Sequence, residues 1–137
     1  EERAGHRGVR AIEVGARRPL GVSSAGVAIL AALPAQEARK IVAANEARFV
    51  AYRIDAAAVL AQITAARRRG YNLREVGLVQ GTKSISTWIK TVDGRPAAAM
   101  TVSAVRARLG PRREQEVAEI LLDASHAIER ALRFVES

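Results

Sequence analysis

The sequence predicts an α+β fold, an antiparallel sheet covered by helices, and not a parallel sheet that alternates with them. Three observations support this prediction. Two β-rich segments, Thr82–Val92 and Pro96–Val105, flank Asp93-Gly94, and Asp-Gly in this setting is a strong hairpin signal. A stripe of apolar residues at helical spacing then predicts a long amphipathic helix, and its members are Val117, Ile120, Leu121, Ala124, Ile128, Leu132 and Val135. Shorter helical patterns precede the hairpin.

Composition restricts the classes of protein to which the chain can belong. Its 137 residues suit one domain, and the absence of cysteine excludes disulfides and thiolate metal sites. No apolar run is long enough to cross a bilayer and no signal-peptide pattern opens the chain, so a cytoplasmic domain is expected. The net charge of +8 comes from scattered arginines without interleaved aromatic residues. That pattern favours a generally basic surface over direct binding of DNA by this chain.

The segment before the hairpin divides into a strand, three helices and a second, irregular strand. Ser23 or Ser24 can cap the first helix, which is almost wholly apolar and should be buried on most sides, and Pro34 ends it. The third helix ends in Arg67-Arg68-Arg69 and Gly70, where cations favour the negative end of the helix dipole and glycine suits the cap. The predicted elements are a strand over Val9–Val14, helices over Ala25–Leu33 and Gln36–Arg48, a helix starting at Asp55, and an irregular strand over Tyr71–Val79.

The register of the hairpin separates its side chains onto two faces. If Val92 faces Arg95 across a two-residue turn, the pairing places Ser86 opposite Thr101 and Ser84 opposite Ser103. The face predicted to join the core carries Ile85, Thr87, Ile89, Ala98, Met100 and Val102. The other face carries Ser84, Ser86, Trp88, Ala99, Thr101 and Ser103. Four small hydroxyl side chains beside one tryptophan suggest the floor of a polar pocket.

Signals for catalysis are weak. His6 and His126 have no metal-ligand partners at a recognised spacing, so no metal site is predicted. No serine lies in a Gly-x-Ser-x-Gly elbow, and no base is evident near Ser84 or Ser103. Glycine patterns for nucleotides are absent as well, so the prediction is a protein that is not an enzyme and has no cofactor.

The start of the first helix gives a better signal for binding. The first backbone N–H groups of a helix have no intrahelical partners, and together with the dipole they favour an anion. Ser24, Ala25 and Gly26 occupy this start, and Gly26 would let a ligand or strand approach the backbone. Placed over the hydroxyls of Ser84, Ser86, Thr101 and Ser103, these amides would suit a small carboxylate. A simpler interpretation stays open, in which the serines only cap the helix and small residues only make room for packing.

Several motifs resemble the effector-binding domain of IclR-family transcriptional regulators. The run 14–20 is similar to the family pattern V-G-x-R-x-P-L, and after three residues the run 24–34 is similar to A-x-G-x-A-x-L-A-x-L-P. The resemblance extends in order over nearly the whole chain. Its further pieces are Arg69-Gly70-Tyr71, Gly81, Asp93-Gly94-Arg95, the strand Ala99–Ser103 and the long terminal helix.

The resemblance implies a GAF- or profilin-like antiparallel sheet with a ligand pocket on one face and a long C-terminal helix on the other. It implies that a small metabolite, often an organic or aromatic acid, alters operator binding by the intact regulator. Val27 departs from the family's usual lysine, and Val76-Gly77 stand where acidic residues are common. The positions that match the family's effector pocket are Ser24, Ala25, Gly26, Ser84, Ser86, Thr101 and Ser103.

Residues 1–137 are then expected to be a partial effector-binding domain. The winged helix-turn-helix domain and the first elements of the effector domain would lie outside the chain. Operator DNA would be contacted through that missing N-terminal domain, not through this chain, and the intact protein would be a homodimer or homotetramer that does not contact a membrane. Two alternatives are a GAF-like sensor of a signalling protein and a small lyase or hydrolase.

Overall fold

The computed structural model of the chain describes residues 14–75 and 80–136. It confirms the predicted α+β class, with a long terminal helix following a hairpin. Two 3₁₀ turns, Val50–Tyr52 and Arg106–Arg108, connect the larger elements. Apart from Val14, which lies in a turn, the predicted first strand is outside the described residues. The elements are α1 Ser24–Ala32, α2 Ala35–Phe49, α3 Ala56–Arg69, β1 Asn72–Arg74, β2 Thr82–Lys90, β3 Pro96–Val105 and α4 Pro111–Glu136.

The sheet that the described residues form is antiparallel, with the strand order β1-β2-β3. The predicted register of the hairpin is confirmed, since Ser86 faces Thr101 and Ser84 faces Ser103. The short strand β1 adds two polar residues to the same face, because Asn72 lies opposite Ser86 and Arg74 opposite Ser84. Helix α1 covers this face, and α4 covers the other.

The prediction of a two-residue turn is wrong, although the register survives. Gly94 N–H donates to Thr91 O at 2.9 Å, and Gly94 has a φ of +80°. These features are typical of a three-residue loop that ends in a left-handed glycine. The pairing then shifts by one residue between Ile89 and Lys90, which leaves Ala97 as the extra residue of a β-bulge. The odd loop and the bulge cancel, so the faces of the sheet stay as predicted.

The larger part of the core lies between α1, α2 and α3, on the side of the sheet that carries Trp88. Val27 and Leu30 of α1 are fully buried against Phe49 and Val59, as expected for a helix without a polar face. The sequence placed the helix ends to within about two residues. Ser23 is the N-cap of α1 and accepts from Gly26 N at 3.0 Å. Burial of the apolar side chains of α1 fixes this helix, and therefore its N-terminus, over the sheet.

The arginine triplet at the end of α3 does more than face its own helix dipole. Gly70 ends the helix with a φ of +89°, as predicted. Arg67, however, donates from Nε to Ala31 O at 3.1 Å and from Nη2 to Leu33 O at 3.0 Å. These carbonyls belong to the end of α1, which has no basic residue of its own in its last turn. Arg67 of α3 therefore caps the C-terminus of α1.

Helix α4 packs on the opposite face, against the apolar side chains predicted there. Ile85, Leu109, Ala118 and Leu121 are its buried core, and Met100 and Val102 pack against them. The predicted apolar stripe of α4 is wider than its contact, because Ile120 is 67% exposed and Val135 82% exposed. Within the described ranges, no single helix is long and apolar enough to span a membrane, and α2 with α3 reach that length only as a pair bent by 116°.

Candidate functional site

The structure brings the predicted hydroxyl side chains together from three separate elements. We call Ser24, Ser84, Ser86, Thr101 and Ser103 the hydroxyl cluster. Ser86 Oγ donates to Ser24 Oγ at 2.9 Å, and its distance to Thr101 Oγ1 is 2.7 Å. Ser84 and Ser103 form a second pair, 2.7 Å apart. Ser24, Ser84 and Ser86 are buried, whereas Thr101 and Ser103 are exposed. The cluster thus runs from the covered part of the sheet out to its surface.

Asn72 belongs to the same network, and the sequence interpretation missed it. Its side chain is 1% exposed, and Nδ2 donates to Ser24 Oγ at 2.9 Å and to Ser24 O at 3.4 Å. Asn72 follows Gly70 and Tyr71 at the start of a three-residue strand, which is too short to show a period of two. A polar residue two positions after a helix-ending glycine was the only signal available. Asn72 and Ser86 together fix the first residue of α1 on the sheet.

The N-terminus of α1 contributes two backbone donors to this region. Ser23 Oγ occupies the Gly26 amide, and Val27 N–H donates to Ser23 O. Within the described residues, the amides of Ser24 and Ala25 make no hydrogen bond. They are the first amides of a nine-residue helix without a charged side chain, so the helix dipole is uncompensated at this end. The amides of Ser24 and Ala25 can therefore donate to an anion, whereas the Gly26 amide is already used.

Gly26 has a packing role that differs from the one expected. A Cβ atom on Gly26 would lie 2.9 Å from Gly21 N and 3.4 Å from Leu20 Cα. What approaches the helix closely is therefore the loop before it, and backbone atoms there leave no room for a methyl group.

Replacing Gly26 by alanine should therefore destabilise the protein. Alanine in a helix normally stabilises by about 1 kcal/mol relative to glycine, but overpacking against backbone costs about 1–3 kcal/mol. The difference is a net loss, and we expect Gly26→Ala to lower the free energy of unfolding by up to about 2 kcal/mol in urea denaturation. The sign is the test, because a stabilised variant would mean that the loop moves away freely.

Arg74 is the charged residue on the face of the hydroxyl cluster. It lies opposite Ser84 and is 7% exposed, and this burial lowers the pKa of its guanidinium. It donates to Val22 O, to Gly21 O at 3.3 Å, and to Gln62 Oε1 at 3.1 Å. The loop that enters α1 is therefore held by a buried cation.

A second group of ionisable residues lies at the far end of the hairpin. Arg95 forms a two-pronged ion pair with Glu37 of α2, with contacts of 2.6 and 3.2 Å, and hydrogen bonding to Arg95 lowers the pKa of Glu37. The pKa of Asp93 is lowered first by the Thr91 hydroxyl and then by the Arg95 amide. A cleft of about 250 Å³ lies nearby, lined by Lys90, Thr91, Val92, Gly94, Glu129 and Arg133. These contacts hold the turn in place and are separate from the hydroxyl cluster.

The described residues contain no group of three or more His, Cys, Asp or Glu side chains that could hold a metal ion. His126 is exposed on α4, and His6 lies outside the described residues. In sequence, α1, β2 and β3 contain neither histidine nor an acidic residue. The elements that form the hydroxyl cluster therefore supply no histidine or carboxylate as a general base. Their arrangement suits hydrogen bonding to an anion.

Comparison with known proteins finds one matching family and several similar structures. The family model described as "Bacterial transcriptional regulator IclR C-terminal" matches residues 6–130. A search of curated protein sequences returns no match. Among solved structures, the C-terminal domain of the E. coli transcriptional regulator KdgR is 22% identical, with a TM-score of 0.74 over 86% of this chain and 73% of that chain.

Two longer regulators have the same fold. A transcriptional regulator of Rhodococcus sp. RHA1 is 24% identical with a TM-score of 0.73, over 90% of this chain and 52% of that one. The Agrobacterium tumefaciens repressor BlcR is 20% identical with a TM-score of 0.75, over 88% of this chain and 50% of that one. The chain thus spans about half the length of these regulators.

Proposed function

The chain belongs to the IclR C-terminal family of bacterial transcriptional regulators, and on this premise we propose that it senses a small organic or aromatic acid. Binding of this effector would modulate operator binding by the intact regulator. The proposal assigns DNA contacts to a domain outside residues 1–137, and it assigns the effector pocket to the hydroxyl cluster with the amides of Ser24 and Ala25.

The observation that carries the proposal is the convergence of hydroxyl side chains at the N-terminus of α1. In the Ser84–Ser103 pair either hydroxyl can be the donor, whereas Ser86 already donates to Ser24 and therefore accepts from Thr101. The first pair can rotate so that Ser84 donates to Ser103 while Ser103 donates to an incoming carboxylate. Exposure of Thr101 and Ser103 gives a ligand access from solvent. Two or three charge-assisted bonds of about 1.5–3 kcal/mol each suit micromolar to millimolar affinity once ordering costs are subtracted.

Regulation would follow from differential affinity of the effector for two arrangements of the intact protein, which we propose to be a cytoplasmic homodimer or homotetramer. Ser24 belongs both to the candidate site and to the packing of α1 on the sheet. Its hydroxyl accepts hydrogen bonds from Asn72 of β1 and Ser86 of β2. An acid that competes for these bonds would alter how α1 sits on the sheet. Since the cluster's elements offer no histidine or carboxylate to act as a base, we propose binding of the ligand without turnover.

The Ser84→Ala/Ser103→Ala variant tests this site. Both members of one hydrogen-bonded pair are removed together, so no buried group is left unsatisfied and the free energy of unfolding should change by less than about 1 kcal/mol. Calorimetry with the acids that raise the thermal midpoint of the wild type should show affinity weakened about tenfold or more.

Ser125→Ala is the matched control, because Ser125 is buried on α4 and donates to Leu122 O on the other side of the sheet. It should bind the same acids as the wild type does. Unchanged affinity in the double variant would remove Ser84 and Ser103 from the site.

A further inference from the structure

Arg74 is a buried cation whose contacts are all neutral. Its three hydrogen bonds within the described residues go to two backbone carbonyls and to the amide oxygen of Gln62. No ion pair joins Arg74 to any described carboxylate. A charge at 7% exposure is costly unless it is paired, and this cost is the cause of its lowered pKa.

The surrounding elements cannot supply the missing anion. Helices α1 and α3 and strands β2 and β3 contain no aspartate or glutamate, and α3 ends in three arginines. The adjacent Glu75 belongs to the other face of the sheet, where its carboxylate lies 3.9 Å from Lys83 Nζ. A counter-charge for Arg74 therefore has to come from outside this part of the fold.

The position of Arg74 connects this unmet charge with the hydroxyl cluster. Arg74 faces Ser84 across β1 and β2, and directly paired side chains lie about 5 Å apart at Cβ. Only three of the five guanidinium N–H donors are used by described residues. We propose that Arg74 recognises the carboxylate of the effector, with Ser84 beside it, and that the chain therefore selects anionic ligands over neutral ones of the same shape.

Gln62 makes the contact to Arg74 that a ligand carboxylate would replace. Its Oε1 lies 3.1 Å from Arg74 Nη2 and is a neutral acceptor on a half-buried residue of α3. A ligand carboxylate replaces this amide contact with a charge-assisted one, which is roughly twice as strong. The inference rests on the proposed effector-sensing function, since it assigns the charge of the ligand and the residue that reads it.

The first test compares ligands on the unmodified full chain. Acetate, pyruvate and benzoate are each titrated beside acetamide, pyruvamide and benzamide, which keep the shape and lose the charge. We expect an acid that binds to bind about 10- to 100-fold more tightly than its amide. An acid and its amide that bind equally would overturn the role of Arg74 and leave a ligand-binding domain standing. Failure of every acid and amide to bind would instead refute the proposed function itself.

Gln62→Glu tests the same point without removing the cation. The substitution places a carboxylate of nearly the same shape 3.1 Å from Arg74 Nη2, where it acts as a built-in competitor. We expect a raised thermal midpoint and about tenfold or more weaker binding of the acid, with binding of its amide unchanged. Gln115→Glu makes the same chemical change on the exposed side of α4 and should leave acid binding unaltered.

Arg74→Gln and Arg74→Lys complete the set. Arg74→Gln should abolish the preference for the acid, and Arg74→Lys should retain part of it, because lysine keeps the charge and loses the planar fork. If Arg74→Gln does not fold, Arg74→Lys and Gln62→Glu still decide the matter. Acid binding of wild-type strength in Gln62→Glu would contradict the proposal.

Discussion

Phe49→Ala should lower the free energy of unfolding by about 3–5 kcal/mol, the range for phenylalanine deletion in a packed core. Among the described residues, Phe49 has the largest side chain that is fully buried, and it lies at the end of α2. Its ring packs so closely on the loop before α1 that a Cβ atom on Gly21 would lie 2.8 Å from Phe49 Cζ. Gly21 has a φ of +108°, so this contact depends on a backbone conformation that glycine favours.

The effect should extend to the candidate site, because the carbonyls of Gly21 and Val22 accept hydrogen bonds from Arg74. We therefore expect Phe49→Ala to weaken acid binding as well as stability. Val50→Ala, at a neighbouring side chain that is 75% exposed, is the control and should stay within about 0.5 kcal/mol of the wild type. Urea denaturation measures the stability of both variants, and an unchanged m-value shows that the surface exposed on unfolding is the same. Equal losses in the two variants would mean that the loop collapses into the space left by the ring.

The faces of the hairpin could be predicted because side chains on a strand alternate with a period of two. A slip of one residue would turn Ile85 toward the polar contacts of α1, and the hydroxyls of Ser84 and Ser86 toward the apolar side of α4. The different packing of the two faces therefore sets the register more strongly than the turn does. The turn itself was predicted wrongly, since Ala97 lies in an alanine-rich stretch whose side chains give no indication of a bulge.

Strand β1 marks the limit of what periodicity reveals about the site. Its three residues cannot establish a face, so neither Asn72 nor Arg74 was assigned to the pocket side. Their placement depends on pairing with β2, which is a contact between distant parts of the chain. For this reason the sequence alone did not place Arg74, whose charge we propose to select the ligand, in the pocket.

Helix α4 shows the converse case, in which a pattern is clear and its partner is not. The apolar spacing along α4 correctly predicted burial of Leu121 and wrongly implied burial of Ile120. Periodicity reports which side of a helix is apolar, whereas the area actually covered depends on the elements that are present. The face of the sheet that α4 covers also contains Lys83 of β2. Sequence patterns would place this lysine in solvent, but it is 6% exposed.

Lys83 forms a largely buried ion pair with Glu114 at the start of α4. Its ammonium donates to Leu109 O at 2.9 Å and lies 2.7 Å from Glu114 Oε2, whose side chain is 18% exposed. Removing one partner of a buried pair leaves an uncompensated charge, which costs about 3–5 kcal/mol when both are fully buried. Because Glu114 retains some contact with water, we expect Glu114→Gln to lower the free energy of unfolding by about 2–4 kcal/mol. Urea denaturation at neutral pH and fixed ionic strength measures this loss.

Two companion variants separate the pair from general loss of charge. Glu116→Gln removes an acidic residue that is 46% exposed and pairs only with exposed Arg112 and Arg113, so it should cost no more than about 1 kcal/mol. Lys83→Met/Glu114→Leu removes both buried charges and should recover most of the stability lost in Glu114→Gln, because an apolar pair needs no counter-ion. If Glu114→Gln cost no more than Glu116→Gln, the carboxylate of Glu75, 3.9 Å from the ammonium, would be sufficient to compensate Lys83. A double variant less stable than Glu114→Gln would instead show that the bond to Leu109 O, and not the ion pair, holds the start of α4 against the sheet.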